Sequence, residues 1–178
     1  MLSSMKKVIL IRHGKSSWDN PALDDHDRPL STRGRDASPV IASWLAGRGH
    51  CPDLVLCSSS LRTRETVDHM APVLSQMPAP QIDQSLYHAS PKAMLETLRG
   101  LDDRIGSAMI VGHNPGLGAL TRKLAGGQAR PRCARAFEHF PTAAAAVLVA
   151  NLDSWKALAF GNADFVDFAK PRELAAAS

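Results

Sequence analysis

Cysteine is scarce: Cys51, Cys57 and Cys133 are the only three in 178 residues. They are odd in number, widely spaced and free of any C-x-x-C pair, which argues against both a disulfide framework and a zinc cluster. A reducing, cytoplasmic setting suits them. Aromatic residues are also few, at 5% of the chain. None interleaves with the one dense basic cluster, Arg130-Pro131-Arg132-Cys133-Ala134-Arg135, so this stretch makes a poor nucleic-acid footprint and reads as a solvated loop. Long apolar runs are missing too: nothing approaches the roughly 18 residues of a membrane helix. The run Val8 to Ile11 follows Lys6-Lys7 but is cut off by Arg12, too short for an export signal. The expected protein is therefore cytoplasmic, bound to neither nucleic acid nor membrane. Its net charge of +4, from 21 Lys and Arg against 17 Asp and Glu, allows mild steering of anions.

What is present is an alternation of short β-branched runs with longer helical segments. That alternation predicts an α/β fold, a three-layer α/β/α sandwich around a mostly parallel sheet, in one domain over 1–178. Lys7 to Arg12 reads as the first strand and Gly34 to Gly47 as the first helix, with Val40, Ile41, Trp44 and Leu45 at helical spacing. Asp53 to Cys57 makes a second strand. Ser58-Ser59-Ser60 is then a natural cap cluster for a helix reaching about Leu74. A weak strand is expected at Gln81 to Asp83, and a helix opening at Pro91 with Ser90 as its cap. Ser107 to Val111 is a further strand and Leu117 to Leu124 a further helix. Ala145 to Leu152 and Trp155 to Phe160 are expected to pair as a hairpin, one antiparallel element late in the chain, before a frayed tail at Leu174 to Ser178.

Parallel α/β sheets carry their ligand sites at the carboxyl ends of the strands. Three such ends are chemically loaded. Arg12-His13-Gly14 follows the first strand, Ser58 to Arg64 the second, and Gly112-His113-Asn114 the strand ending at Val111. Taken singly, an Arg-His-Gly turn, a helix arginine or a capping histidine is unremarkable. Taken together they deliver two imidazoles and at least two guanidiniums, from Arg12 and from Arg62 or Arg64, to one edge. No acidic residue lies inside these motifs. Such a pocket is costly alone and favourable around a dianion, because the guanidinium fork matches phosphate oxygens bidentately. A neutral imidazole can then attack phosphorus without first losing a proton.

These strings resemble the histidine phosphatase superfamily, which includes the cofactor-dependent phosphoglycerate mutases. "RHG" is similar to its hallmark, "SSSLRTRET" to its second arginine motif and "VGHNPG" to its second histidine motif. The compact length, "DRPLSTRG" at Asp27 to Gly34, "LYHASP" at Leu86 to Pro91 and "FPT" at Phe140 to Thr142 resemble the small SixA-type phosphohistidine phosphatases most. The resemblance implies that His13 accepts the phosphoryl group, and that Arg12, Arg62 and His113 clamp it, with Gly14 and Ser16 also lining the substrate site. Arg62 fits the family arginine better than Arg64. Protonated His113 would act as a donor, and neither metal nor cofactor is required.

Two departures carry information. The larger relatives have a glutamate acid in an L-x-E string where this chain has Leu86-Tyr87-His88, so His88 either replaces that acid or the acid is missing. An alkoxide leaving group needs a strong proton donor, whereas an imidazole with a conjugate-acid pKa of about 6.5 needs far less. A weak acid therefore favours P–N substrates: a phosphorylated protein domain or a small phosphoramidate. Small phosphate monoesters are the alternative substrates, and a phosphate- or phosphoprotein-binding module with little activity is the alternative class. The second departure is Asp19, where the family often has Asn; it reads as structural, paired with Lys15 or Arg28. Asp24, Asp25 and Asp27 read as a solvated acidic loop rather than a metal cluster.

Overall fold

The computed structural model describes residues 4–177. Six strands form one sheet: β1 (Met5–Arg12), β2 (Leu54–Ser58), β3 (Gln81–Asp83), β4 (Ser107–Gly112), β5 (Ala145–Asn151) and β6 (Asp164–Ala169). Their order across the sheet is β3-β2-β4-β1-β5-β6. β3, β2, β4 and β1 run parallel, and β5 lies antiparallel between β1 and β6. Five helices cover it: α1 (Thr32–Gly47), α2 (Leu61–Met70), α3 (Pro91–Arg99), α4 (Gly116–Leu124) and α5 (Pro171–Ala176).

The mostly parallel, helix-covered sheet is the expected α/β architecture. Its central strands are buried on both faces, which explains why they read as continuous apolar runs rather than as alternating ones. On β1, Ile9 and Ile11 join the core beneath α1 and α2, with Ile41, Leu45, Val67 and Met70. Val8 and Leu10 point the other way, into the core beneath α3 and α4, with Leu98, Leu117 and Leu120. Cys57 and Cys133 are packed into these two cores, and burial raises both thiols, Cys57 to about 12. Neither is a thiolate nucleophile at neutral pH.

Helix starts obey local capping chemistry. Ser31, Ser60 and Ser90 each accept a backbone N–H through the side chain, from Gly34, Thr63 and Ala93. α1 starts two residues earlier than the sequence suggests because Ser31, not a residue nearer Gly34, is the cap. α2 stops at Met70, short of Leu74.

Three expectations need correction. The second arm of the late hairpin is not Trp155 to Phe160 but β6, nine residues further on. Trp155 is wholly buried in a 3-10 turn, its indole N–H donating to the Ile105 carbonyl at 2.8 Å and its backbone N–H to Asp103 Oδ1 at 2.8 Å. Those two bonds fix the segment as a turn, whatever its apolar content. The tail is helical through Ala176 rather than frayed from Leu174; Ser178 lies outside the described residues. The basic cluster is not a free solvated loop either, since Arg135 pairs with Glu173 of α5 at 2.6 Å and Arg132 donates to the Val166 carbonyl of β6 at 2.6 Å. Among the described residues, no helix is long and apolar enough to cross a membrane.

Candidate active site

β2, β4 and β1 are neighbours, so their carboxyl ends meet. Arg12 closes β1 opposite Gly112, the last residue of β4, and His13 follows with its backbone N–H on the Gly112 carbonyl at 3.1 Å. Gly14 is required here: a Cβ would lie 2.9 Å from the carbonyl oxygen of Gly34, at the start of α1. The Gly14 N–H is held by Thr66 of α2 at 2.9 Å. This loop is thus pinned by both flanking helices, and His13 sits on a rigid platform.

His13 and His113 face each other with ring centroids 5.3 Å apart. His13 Nδ1 lies 2.7 Å from the Gly14 carbonyl, which can only accept, so Nδ1 carries the proton and Nε2 exposes its lone pair to the site. Arg62 Nε approaches that lone pair at 3.3 Å, and Arg62 Nη2 reaches His113 Nδ1 at 3.5 Å. His113 Nε2 bonds Ser58 Oγ at 2.7 Å, so Ser58 orients the second histidine rather than capping α2. Arg12 donates to the Phe140 carbonyl at 2.9 Å, while its buried Nε has no partner. Arg12, His13, Arg62 and His113 therefore come together as the sequence suggests. Arg64, by contrast, is exposed on the far side of α2.

The electrostatics match a site shaped for an anion. Burial, with the charges of Arg62 and Arg12, outweighs the Gly14 hydrogen bond and lowers the His13 pKa to about 4. Burial, helped by His13 and Arg62, lowers His113 to about 3. His113 is thus neutral at pH 7 with no anion beside it; the donor role expected of it belongs to the phosphate-bound site, where a dianion would raise its pKa. Both shifts are depressions of a histidine, so the unfolded chain binds more protons than the folded one. Stability is then fully present above about pH 6.5 and falls as the pH drops toward 4, by roughly 2 kcal/mol per ring at pH 5. Urea unfolding at pH 7.5 and pH 5 should show this loss, and His113→Ala should show about half of it.

A fourth segment, absent from the three motifs, completes the site. The loop before α1 makes a 3-10 turn at Asp25–Asp27. Asp25 Oδ2 accepts from Tyr87 Oη at 2.5 Å, Arg62 Nη2 at 2.9 Å and His88 Nε2 at 3.2 Å. Oδ1 accepts from Arg28 Nη1 at 3.0 Å, and the Asp25 carbonyl takes Arg62 Nη1. Burial would raise this carboxyl, but the hydrogen bonds from Tyr87, Arg62 and His88 prevail and hold it well below the usual range. All three aspartates are exposed, as a solvated loop implies, but Asp25 is in addition tied into the site by four side chains, which that reading misses. Arg28 pairs with Asp25, not with the exposed Asp19, and its Nη2 also occupies Ser16 Oγ at 2.6 Å. Ser16 thereby joins the site through Arg28. His88 adopts a left-handed backbone, φ 53°, a conformation costing a non-glycine residue on the order of 1 kcal/mol. Its ring stacks on His113 with centroids 5.1 Å apart.

The first half of the chain, residues 8–87, matches the model of the histidine phosphatase superfamily (branch 1). The chain belongs to the histidine phosphatase superfamily. A Mycobacterium leprae protein is 33% identical over 168 residues, covering 91% of this chain and 100% of the relative. The phosphohistidine phosphatase SixA of Escherichia coli is 28% identical over 127 residues, 70% of this chain and 78% of that one. The solved structure of the protein histidine phosphatase SixA complexed with tungstate superposes with a TM-score of 0.77 at 26% identity, covering 94% of this chain and 99% of that one. Membership of this superfamily supports phosphatase activity for the protein.

Proposed function

We propose that the protein is a metal-independent phosphohistidine phosphatase working through a phosphoryl intermediate on His13. The observation that carries this reading is the His13 ring, tethered through Nδ1–H to Gly14, with Nε2 on the side of Arg62 Nε and the ring 5.3 Å from that of His113. Nε2 attacks phosphorus as the bond to the leaving nitrogen breaks and the electron pair goes to that nitrogen; a phosphohistidine protonated on its other ring nitrogen leaves as neutral imidazole, and one not so protonated takes its proton from solvent or from the exposed His88. Water then attacks the phosphorus of the His13 adduct, and His13 leaves as neutral imidazole, its own conjugate acid held at about 4. Charge in both transition states resides on the phosphoryl oxygens. Arg12, Arg62 and a His113 that takes a proton from solvent as the dianion raises its pKa are the fixed donors for it.

A cavity of about 290 Å³ beside His113, lined by His88, Ala89, Pro91 and Pro115 among others, gives room for a leaving side chain. The similar protein histidine phosphatase SixA was solved in complex with tungstate, a tetrahedral oxyanion, which supports reading this chain as a binder of a tetrahedral anion. A phosphorylated protein domain is the favoured substrate, and a small phosphoramidate the minimal one. The test is turnover of phosphoramidate, para-nitrophenyl phosphate and 3-phosphoglycerate, each with and without chelator. Chelator-insensitive release from phosphoramidate, with little from the other two, is the expected result. Preferential turnover of the esters would replace this reading with a monoester phosphatase, and binding without turnover with a recognition module.

A further inference from the structure

A negative charge at the mouth of a phosphate pocket needs a reason, because it opposes the dianion that the pocket is built to hold. Asp25 is not needed to silence a stray guanidinium: Arg12 donates instead to the Phe140 carbonyl, while Arg62 and Arg28 both bond to Asp25, two cations on one carboxylate. It is held by Arg62, Arg28, Tyr87 and His88, from three separate segments, and remains ionised. Yet its side chain keeps 45% of its exposure. A fixed, part-exposed anion beside the reacting group acts on whatever substrate atoms project beyond the phosphorus.

Charge balance shows what it does. Arg12, Arg62 and Arg28 less Asp25 leave two positive charges, three once His113 holds a proton, against the two negative charges of a phosphoryl dianion. Asp25 thus removes one unit of the surplus that would otherwise attract a second anionic group on the same substrate. A cationic or N–H-donating group beyond the phosphorus meets Asp25 and the His88 and Tyr87 rings, which are T-shaped to each other with centroids 4.2 Å apart. We infer that Asp25 is a specificity-determining residue, a charge filter that favours substrates with a cationic or N–H-donating group beside the phosphoryl group and disfavours those with a second anion. This deepens the proposed function and rests on it: the protonated imidazole of a phosphohistidine passes the filter, whereas a phosphoglycerate, with its carboxylate, does not.

Non-hydrolysable ligands separate the filter from turnover. Calorimetric binding of phenylphosphonate, 4-carboxyphenylphosphonate and 4-(aminomethyl)phenylphosphonate presents one anion with a neutral, negative or positive neighbour. Two unit charges several ångströms apart at a protein surface interact enough to shift affinity by roughly tenfold. The wild-type protein should bind the aminomethyl ligand most tightly and the carboxy ligand roughly tenfold more weakly than the neutral one. Asp25→Asn, which keeps hydrogen-bonding capacity without charge, should compress that series to within about threefold. Raising salt to 1 M should compress the wild-type series as well, an effect that a purely architectural role for Asp25 would not produce. Equal wild-type affinities, or an Asp25→Asn series as wide as the wild type, would overturn the filter while leaving the phosphatase reading intact. Failure of all three to bind, with no release from phosphoramidate, would remove both.

Discussion

His13→Ala should abolish turnover, lowering kcat on phosphoramidate by on the order of 10⁴-fold or more, because it removes the atom that bonds to phosphorus rather than one that assists it. The fold should survive. The His13 ring adds little to either apolar core, and the loop around it is held through backbone groups: His13 N–H on Gly112, Gly14 N–H on Thr66. Removal of an imidazole that resists protonation should even relieve the acid sensitivity by about half. Circular dichroism and urea midpoints would establish that the variant is folded; retention of more than a few per cent of activity in a folded His13→Ala protein would contradict the assignment.

Arg62→Ala should have the next largest effect, a loss of about 10²–10³ in kcat/KM. Arg62 is 3% exposed and its side chain touches both histidines and Asp25. Its removal costs the transition-state oxygens a forked donor and leaves the Asp25 carboxylate facing the incoming dianion. Competitive inhibition by inorganic phosphate should weaken in parallel, since the same donors bind the ground-state anion. Arg62→Lys should recover only a small part of the loss, because an ammonium cannot span two histidines and a carboxylate as the planar guanidinium does. Stability should fall less than activity: Asp25 retains Arg28, Tyr87 and His88 as partners. A KM change without a kcat change would mean that Arg62 binds substrate but does not follow the charge into the transition state.

The strand-end residues were legible because parallel-sheet topology is nearly determined once the β-branched runs and their helices are found. Three loaded ends then have one place to meet, and Arg12, His13, Arg62 and His113 meet there. Asp25 was not legible for a different reason. It lies in an irregular stretch between Asn20 and Ser31 where no periodicity assigns a direction to any side chain, and three neighbouring aspartates look alike in sequence. Only the folded loop distinguishes Asp25, through four donors, from Asp24 and Asp27. The Ser58-Ser59-Ser60 cluster does cap α2, through Ser60, but three like serines in sequence hide that Ser58 turns to His113 instead. Trp155 to Phe160 misled by composition. Its apolar residues suit a strand, but indole and backbone hydrogen bonds to Ile105 and Asp103 fix it as a turn. The Leu86-Tyr87-His88 string stands out in the sequence, while its tie to Asp25 shows only in the folded loop.

The central claim is that His13 Nε2 becomes covalently bonded to phosphorus. The direct measurement is rapid quench of the protein with a phosphoryl-labelled substrate, followed by peptide mapping under alkaline conditions that preserve phosphoramidates. The account predicts label on the peptide holding His13, stable to base, lost in acid, formed and discharged at rates no slower than kcat, and absent from His13→Ala. Label confined to another residue, or full turnover with no label on His13 at any quench time, would contradict it.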